Sequence, residues 1–269
     1  MTETNHYDVI VIGGSYAGLS AGMSLGRALR QVLILDSGHP CNQQTPHSHN
    51  FITQDGETPA AINQKAKEQV LVYPTLQLVA EKAISAHREE ESFRVQTESG
   101  ATFTAKKLLF ATGVRDLLPD LPGFAECWGI SILHCPYCHG YEVHGLPIGV
   151  LANGDMGFEF AKLISHWTPR LTLFTNGPST LTSPQTQKLQ QHHIEIIEQE
   201  IERIDHTDGK MEQVVLKDGT QHALSALFTK VHFEQHCPIP QQLGCELTEA
   251  GYIQIDDFHQ TTVEGVFAA

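Results

Sequence analysis

Apolar residues in this chain gather in short unbroken runs, and two of those runs open a repeated pattern. The first is DVIVI, followed by GGSYAG, a helical stretch reaching Leu29 and a second apolar run, QVLIL. Residues Tyr7–Asp36 therefore read as strand, glycine turn, helix, strand. The second runs from Pro147 to Thr175: PIGVLA, then NGDMG, a helix reaching Trp167 and RLTLFT. Strands buried on both faces give continuous apolar runs, and the helix between them is the crossover of a parallel unit. Laid on each other with Gly13 over Ala152, the two segments keep register without a gap. That is an internal repeat of a nucleotide-binding half, and it predicts an α/β fold with two Rossmann-like domains.

Between the repeats the pattern changes. Thr75–Phe110 alternates apolar and polar positions around a turn at Ser99–Gly100, which predicts an antiparallel meander, and Met211–Lys230 repeats the pattern around a D-G hairpin signal in VVLKDGTQ. Turn formers concentrate at Gly113–Pro122 and Phe233–Gly244, where a chain would leave and re-enter its first domain. The expected organisation is a first domain of residues 1–116 and 245–269, with a second domain, 117–244, inserted in it.

Composition excludes more than it proposes. Of 269 residues, 41% are hydrophobic, and 17 basic against 31 acidic side chains give a formal charge of −14. Nothing so acidic is drawn to nucleic acid or to an anionic membrane surface. No apolar run reaches the roughly 18 residues of a membrane span, and the start, MTETNHYDVIVIGG, lacks the features of a secretory leader. The expectation is a cytoplasmic protein. Six cysteines are too few for a disulfide scaffold, and only Cys135 and Cys138 form a C-x-x-C. Of the sixteen histidines, most read as polar side chains facing water, and one, His139, is given a function.

A dinucleotide pyrophosphate needs converging backbone N–H groups, close approach without a Cβ, and a helix N-terminus. Gly13, Gly14, Ser15, Tyr16, Ala17 and Gly18 supply these after a strand, with Ser15 standing where the second fingerprint glycine is usual. A serine adds little bulk and a hydroxyl that can itself donate to phosphate. Asp36 ends the next strand, placed to accept from a ribose hydroxyl.

Taken with the HNF at His49–Phe51, the ATG at Ala111–Gly113 and a C-x-x-C-H-G after Gly129, the GGSYAGLSAG turn resembles the low-molecular-weight thioredoxin reductase family. The similarity runs along the whole chain, and is strongest toward the divergent branch that includes fungal dithiol oxidases of the gliotoxin type. It implies FAD on the first turn, Asp36 and Ser37 at the adenosine ribose, Asn50, Thr112 and Gly113 lining the cofactor, and the backbone near Ala83 at the adenine. It also implies a homodimer, and a continuation past VEGVFAA with Gly-Asp and a helix touching the flavin, whereas this chain ends at Ala269.

Disulfide exchange requires a thiolate, and a helix N-terminus or a nearby base favours one. In HCPYCHG, Pro136 suits a first helical turn and Cys138 falls one turn along. The resemblance makes Cys138 the flavin-facing thiol and Cys135 the interchange thiol. Reductases of the family carry an acid directly after the second cysteine; here His139 follows, as in the dithiol oxidases, and an imidazole can take and return thiol protons near neutrality. Zinc is the competing reading of the motif, but its four ligands would crowd one short turn and no second C-x-x-C exists; no metal is expected.

In the second turn, Ala152-Asn153-Gly154-Asp155-Met156-Gly157 lacks the first fingerprint glycine and brings in a carboxylate. Thr175 takes the place of the ribose acid, and no arginine follows for a 2′-phosphate. The expectation is an FAD-dependent thiol–disulfide oxidoreductase with weak NADPH use. It would act on a small dithiol or disulfide, or on a thioredoxin-like protein, with O2 a possible acceptor. An ordinary NADPH-dependent thioredoxin reductase and a flavin-binding redox sensor without turnover remain the alternatives.

Overall fold

The computed structural model of the protein describes residues 6–269. Residues 1–5, on which the reading of the chain's start partly rests, lie outside the described residues. The chain forms two compact units, one comprising residues up to Gln43, Ala60–Arg115 and Phe233–Ala269, the other Gln44–Pro59 and Asp116–His232.

In the first unit the chain passes through β1 (His6–Ile12), α1 (Tyr16–Arg27), β2 (Val32–Leu35), α2 (Pro59–Val70) and β3 (Leu76–Val79). It continues with β4 (Ala83–Glu89), β5 (Ser92–Thr97), β6 (Thr102–Phe110) and β7 (Val114–Leu117). The main sheet runs β3-β2-β1-β6-β5-β4. All four residues of β2 are buried, which is why its sequence shows no alternation. α1 lies on this sheet through Gly18, Gly22 and Gly26. A Cβ on Gly22 would stand 2.8 Å from Ile34 Cδ1, and one on Gly26 2.8 Å from Leu76 Cδ1. The helix stops at Arg27 rather than Leu29, which takes a left-handed conformation just beyond the end. The meander is shorter than expected. β3 pairs with β2 in parallel, and only β4, β5 and β6 run antiparallel. The half-exposed edge position of β3 gives it the alternation that resembles a hairpin strand.

The second unit contains α3 (Phe124–Cys127), β8 (Ile132–Leu133), α4 (Pro136–His139), β9 (Ile148–Leu151), α5 (Gly154–Ile164) and β10 (Leu171–Phe174). It goes on with α6 (Ser183–Gln191), β11 (Glu195–Ile197), β12 (Ile201–Thr207), β13 (Lys210–Leu216), β14 (Gln221–Ala223) and β15 (Ala226–Thr229). A parallel sheet, β11-β10-β9-β15-β8, carries the nucleotide-binding topology, and β12-β13-β14 form a separate antiparallel sheet. Gly219, at φ +87°, makes the D-G turn between β13 and β14. β15, by contrast, leaves the hairpin for the parallel sheet. α5 ends at Ile164, short of Trp167.

The chain returns through β16 (His232–Gln235), α7 (Ile239–Gln242) and β17 (Val266–Ala268). β16 pairs with β7, and β17 adds to β6 in parallel. Cys237, Ile239 and Cys245 are buried with Phe93, Phe110 and Val266 in the first unit's core. Residues 233–244 thus belong with the first unit rather than the inserted one, because they bury their apolar side chains there. Residues 44–59 cluster with the second unit; with no periodic apolar pattern of their own, they offer no sequence signal of where they pack. Burial pushes the Cys127, Cys237 and Cys245 thiols up, as for inert core cysteines. No helix among the described residues is long and apolar enough to cross a membrane.

Candidate active site: a glycine turn, a dithiol and a closed second turn

The first glycine turn lies at the carboxyl end of β1, where ligands of open α/β sheets bind. Gly13 has φ +110°, and a Cβ there would come within 2.1 Å of the Ala111 carbonyl and 3.2 Å of the Thr112 nitrogen. At Gly14 a Cβ would stand 2.7 Å from Asp36 Oδ2, and at Gly18 1.8 Å from the Gly13 carbonyl. Ser15 is the N-cap of α1 and makes no side-chain capping bond, while Tyr16 and Ala17 form the first turn. The turn can pack this closely against Ala111, Asp36 and its own backbone only because these side chains are missing. The residues present therefore fit a pyrophosphate against the N-terminus of α1.

Asp36 follows β2 directly. Its Oδ1 accepts from the Gly38 N–H at 3.2 Å and its Oδ2 from Lys67 Nζ at 3.0 Å. Ser37 is next in the same loop, its carbonyl 2.7 Å from His39 Nδ1. Thr112 and Gly113 leave β6 beside Gly13, with open space where a Gly113 side chain would be. Ala83 is buried at the start of β4, four residues past Val79, whose carbonyl accepts from the Asp36 N–H at 3.0 Å. Asn50 belongs to the second unit, has φ +58° and donates its N–H to Asp55 Oδ1 at 2.8 Å. Two further residues escape the sequence reading. Asn63 Nδ2 donates to the Gly14 carbonyl at 3.2 Å, and Lys67 reaches Asp36 from the next turn of α2. Their signal is the spacing of Ile62, Ala66 and Val70, which sets the buried stripe of α2 and leaves Asn63 and Lys67 along its edge.

Cys135 and Cys138 form a disulfide with their Cα atoms 5.3 Å apart. Cys135 is the N-cap of α4 and Pro136 its first residue. The Cys138 and His139 N–H groups both donate to the Cys135 carbonyl at 3.2 Å. α4 is a single turn, so it contributes little dipole, and His139 is the titratable group next in the chain to the pair. His139 is half-buried, and that burial holds its imidazole below the usual histidine range; Glu142 works against the shift, while His49 and His134 add to it. The His49 ring meets His139 edge-on with centroids 6.2 Å apart, and its Nε2 lies 3.5 Å from Glu142 Oε1. The HNF segment thus brings a histidine, as well as Asn50, into consideration. His134 is exposed and stacks on Trp128, and His144 packs on Tyr141 at the surface.

The second turn is filled by its own chain. Asn153 caps α5, and its Oδ1 accepts from the Gly154 N–H at 2.8 Å, the Thr180 N–H at 2.9 Å and the Thr180 hydroxyl at 3.1 Å. Its Nδ2 donates to the Pro178 carbonyl at 2.9 Å and the Thr175 carbonyl at 3.4 Å. Thr175 is buried, and its hydroxyl donates inward to the Gly177 carbonyl at 2.7 Å. Asp155 Oδ1 accepts from Gln185 Nε2 at 2.7 Å. The Gly154 N–H, which opens α5 and would face a phosphate there, is thus satisfied by the chain itself.

The sequence profile of the pyridine nucleotide-disulphide oxidoreductase family matches residues 7–269. Thioredoxin reductase tcpT of Claviceps purpurea is 31% identical over 290 residues, covering 100% of this chain and 87% of that protein. The thioredoxin reductase TrxB structure from Bacillus anthracis superposes with a TM-score of 0.93 at 29% identity, covering 98% of this chain and 88% of the other. An oxidoreductase structure from Agrobacterium tumefaciens gives a TM-score of 0.91 at 38% identity, covering 98% and 89%.

Proposed function

Because the chain belongs to the pyridine nucleotide-disulphide oxidoreductase family, and is a thioredoxin reductase-like, FAD-dependent oxidoreductase within it, we propose that it draws its electrons from a dithiol rather than from NADPH. The observation that carries this reading is the Asn153 side chain, which takes up the Gly154 N–H of the second turn and ties the Thr180 loop to it. The family resemblance of the C-x-x-C-H motif to the dithiol-oxidase branch supports it independently.

In this reading Gly13, Gly14, Ser15, Tyr16, Ala17 and Gly18 hold the pyrophosphate of FAD, and Asp36 and Ser37 its adenosine ribose. Thr112, Gly113, Asn50 and the backbone at Ala83 complete the lining. Bound FAD supplies a two-electron acceptor that can pass electrons on to O2. One substrate thiolate attacks Cys135 Sγ, forming a mixed disulfide and releasing Cys138 as a thiolate. The second substrate thiolate then displaces Cys135, closing the substrate disulfide and leaving the pair reduced. Two electrons have moved from substrate to protein. His139 takes a proton as a substrate thiol is deprotonated and returns it to the departing cysteine. The substrate is a small dithiol or a thioredoxin-like protein, and the working form is a cytoplasmic homodimer, after the pattern of the family.

Anaerobic mixing of the FAD-loaded protein with a dithiol, and separately with NADPH, tests the proposal. A dithiol should bleach the flavin absorbance while NADPH does so slowly. Fast bleaching that saturates at micromolar NADPH restores an ordinary pyridine-nucleotide reductase. Bleaching by neither leaves a flavin-binding protein without this turnover.

A further inference from the structure

We propose that Asn63 and Lys67 are positioning residues for the adenosine end of FAD, one on the phosphate turn and the other on the ribose acid. They stand one turn apart on α2 and act on two adjacent acceptors. Asn63 Nδ2 holds the Gly14 carbonyl at 3.2 Å, and Lys67 Nζ holds Asp36 Oδ2 at 3.0 Å. The acceptors are neighbours because a Cβ on Gly14 would already meet the Asp36 side chain at 2.6 Å. α2 is itself fixed by Ile62 and Val70, both buried, with Ala66 packed against the same core as Val70.

The arrangement answers a physical difficulty of the site. A ribose needs the Asp36 carboxylate, yet the pyrophosphate beside it is also negative, and like charges in a partly desolvated turn repel. Lys67 sets a cation against the far side of that carboxylate, with side-chain exposures of 27% for Lys67 and 15% for Asp36. With Gly38 N–H on Oδ1 and Lys67 on Oδ2, the carboxylate is held in one orientation, and each oxygen keeps a lone pair for a ribose hydroxyl. Asn63 keeps the Gly14 carbonyl turned away from the phosphates, so that the N–H groups of the turn face them. A charge-assisted contact of this kind costs more to break than a neutral one.

The inference rests on FAD as the cofactor and not on dithiol chemistry, so its test reads cofactor binding alone. Apoprotein is titrated with FAD, and quenching of flavin fluorescence gives the dissociation constant. Lys67→Met should weaken FAD by roughly ten- to thirtyfold, and Lys67→Arg, which keeps the charge, should recover most of the loss. Asp36→Asn should weaken FAD as well, and Lys67→Met added to Asp36→Asn should weaken it no further, because Lys67 acts through that carboxylate. Asn63→Leu should weaken FAD independently of Asp36. If the methionine variant does not fold, Lys67→Gln is read in the same cycle. Wild-type affinity in Lys67→Met, or losses from Lys67 and Asp36 that simply add, would overturn the proposal. A wild-type protein that binds FAD yet ignores dithiols would sink the functional reading and leave this one standing.

Discussion

The two glycine turns began from the same strand–turn–helix plan and end in opposite states. In the first, Gly13, Gly14 and Gly18 let the turn pack against the Ala111 carbonyl, the Asp36 side chain and its own backbone, and Ser15 caps nothing. In the second, one asparagine accepts three hydrogen bonds, donates two and binds the turn to the Thr175–Thr180 loop. The difference teaches that a Rossmann topology does not by itself make a ligand site. What matters is whether the N–H groups at the helix start are left for a ligand or used by the chain. A closed turn gains local stability from the same groups that an open turn reserves for phosphate.

The strongest way to break the comparison is to close the first turn. Gly13→Val forces a branched side chain into a left-handed backbone and against the Ala111 carbonyl. FAD affinity should fall by about a hundredfold or more, since several charged hydrogen bonds are lost at once. Flavin absorbance of the purified variant measures it, and a fully yellow variant contradicts the assignment.

Next in size is the second turn. Asn153→Ala removes the bonds that hold the loop and should cost about 1–3 kcal/mol of stability, read from urea unfolding. FAD content should not change. Reduction by NADPH should stay slow, because Asp155 and Thr175 remain; rapid reduction in this variant would show that asparagine alone closes the site.

His139 bears on the same contrast, since the proposed dithiol route uses it to move thiol protons. Its folded-state pKa is lowered, chiefly by burial. Above the ordinary histidine value of about 6.5 it is neutral in both folded and unfolded chains and leaves stability unaffected. As pH falls through that value the unfolded chain protonates first, so stability declines until the lower folded pKa is passed. Dithiol turnover should lose activity only as pH falls through that lower, folded-state pKa. His139→Gln should cut the rate by on the order of a hundredfold and flatten that limb of the pH profile. A variant with an unchanged profile would remove His139 from the mechanism.

The smallest expected effect separates ligand binding from folding. Ser15→Ala should alter stability by less than about 0.5 kcal/mol, yet weaken FAD by a few-fold. A clear loss of stability would mean that the hydroxyl serves the fold after all.

Much of this was legible from residues alone, for reasons the structure makes plain. DVIVI and PIGVLA are buried on both faces, so their hydropathy needs no partner to be read. The two turns were visible because clustered glycines between an apolar run and a helical stretch mark a tight strand-to-helix turn. What the sequence concealed depends on contacts between distant residues. The parallel pairing of β3 follows from its place beside β2, which its partly exposed residues do not announce. Residues 44–59 pack by backbone bonds such as Ser48 N–H to the Glu57 carbonyl and by His49 against His139. Asn153 and Lys67 act on partners 27 and 31 positions away. An asparagine ahead of a helix reads as a cap, and only the fold brings Thr180 to its other side.

The glycine stripe of α1 carries a consequence for the order in which the protein assembles. Gly18, Gly22 and Gly26 each cost roughly 1 kcal/mol of helix propensity relative to alanine, in a helix of 12 residues that would be marginal in isolation even with alanine in their places. α1 therefore has no stability to contribute before β1 and β2 have come together beneath it. Its amides should exchange hydrogen only as readily as those of the strands, and conservative mutations along it should slow folding far less than they speed unfolding. The start of that helix is one wall of the cofactor cradle. Flavin should then be captured late, by a sheet already formed, and act as a lock on the finished unit rather than a template for it.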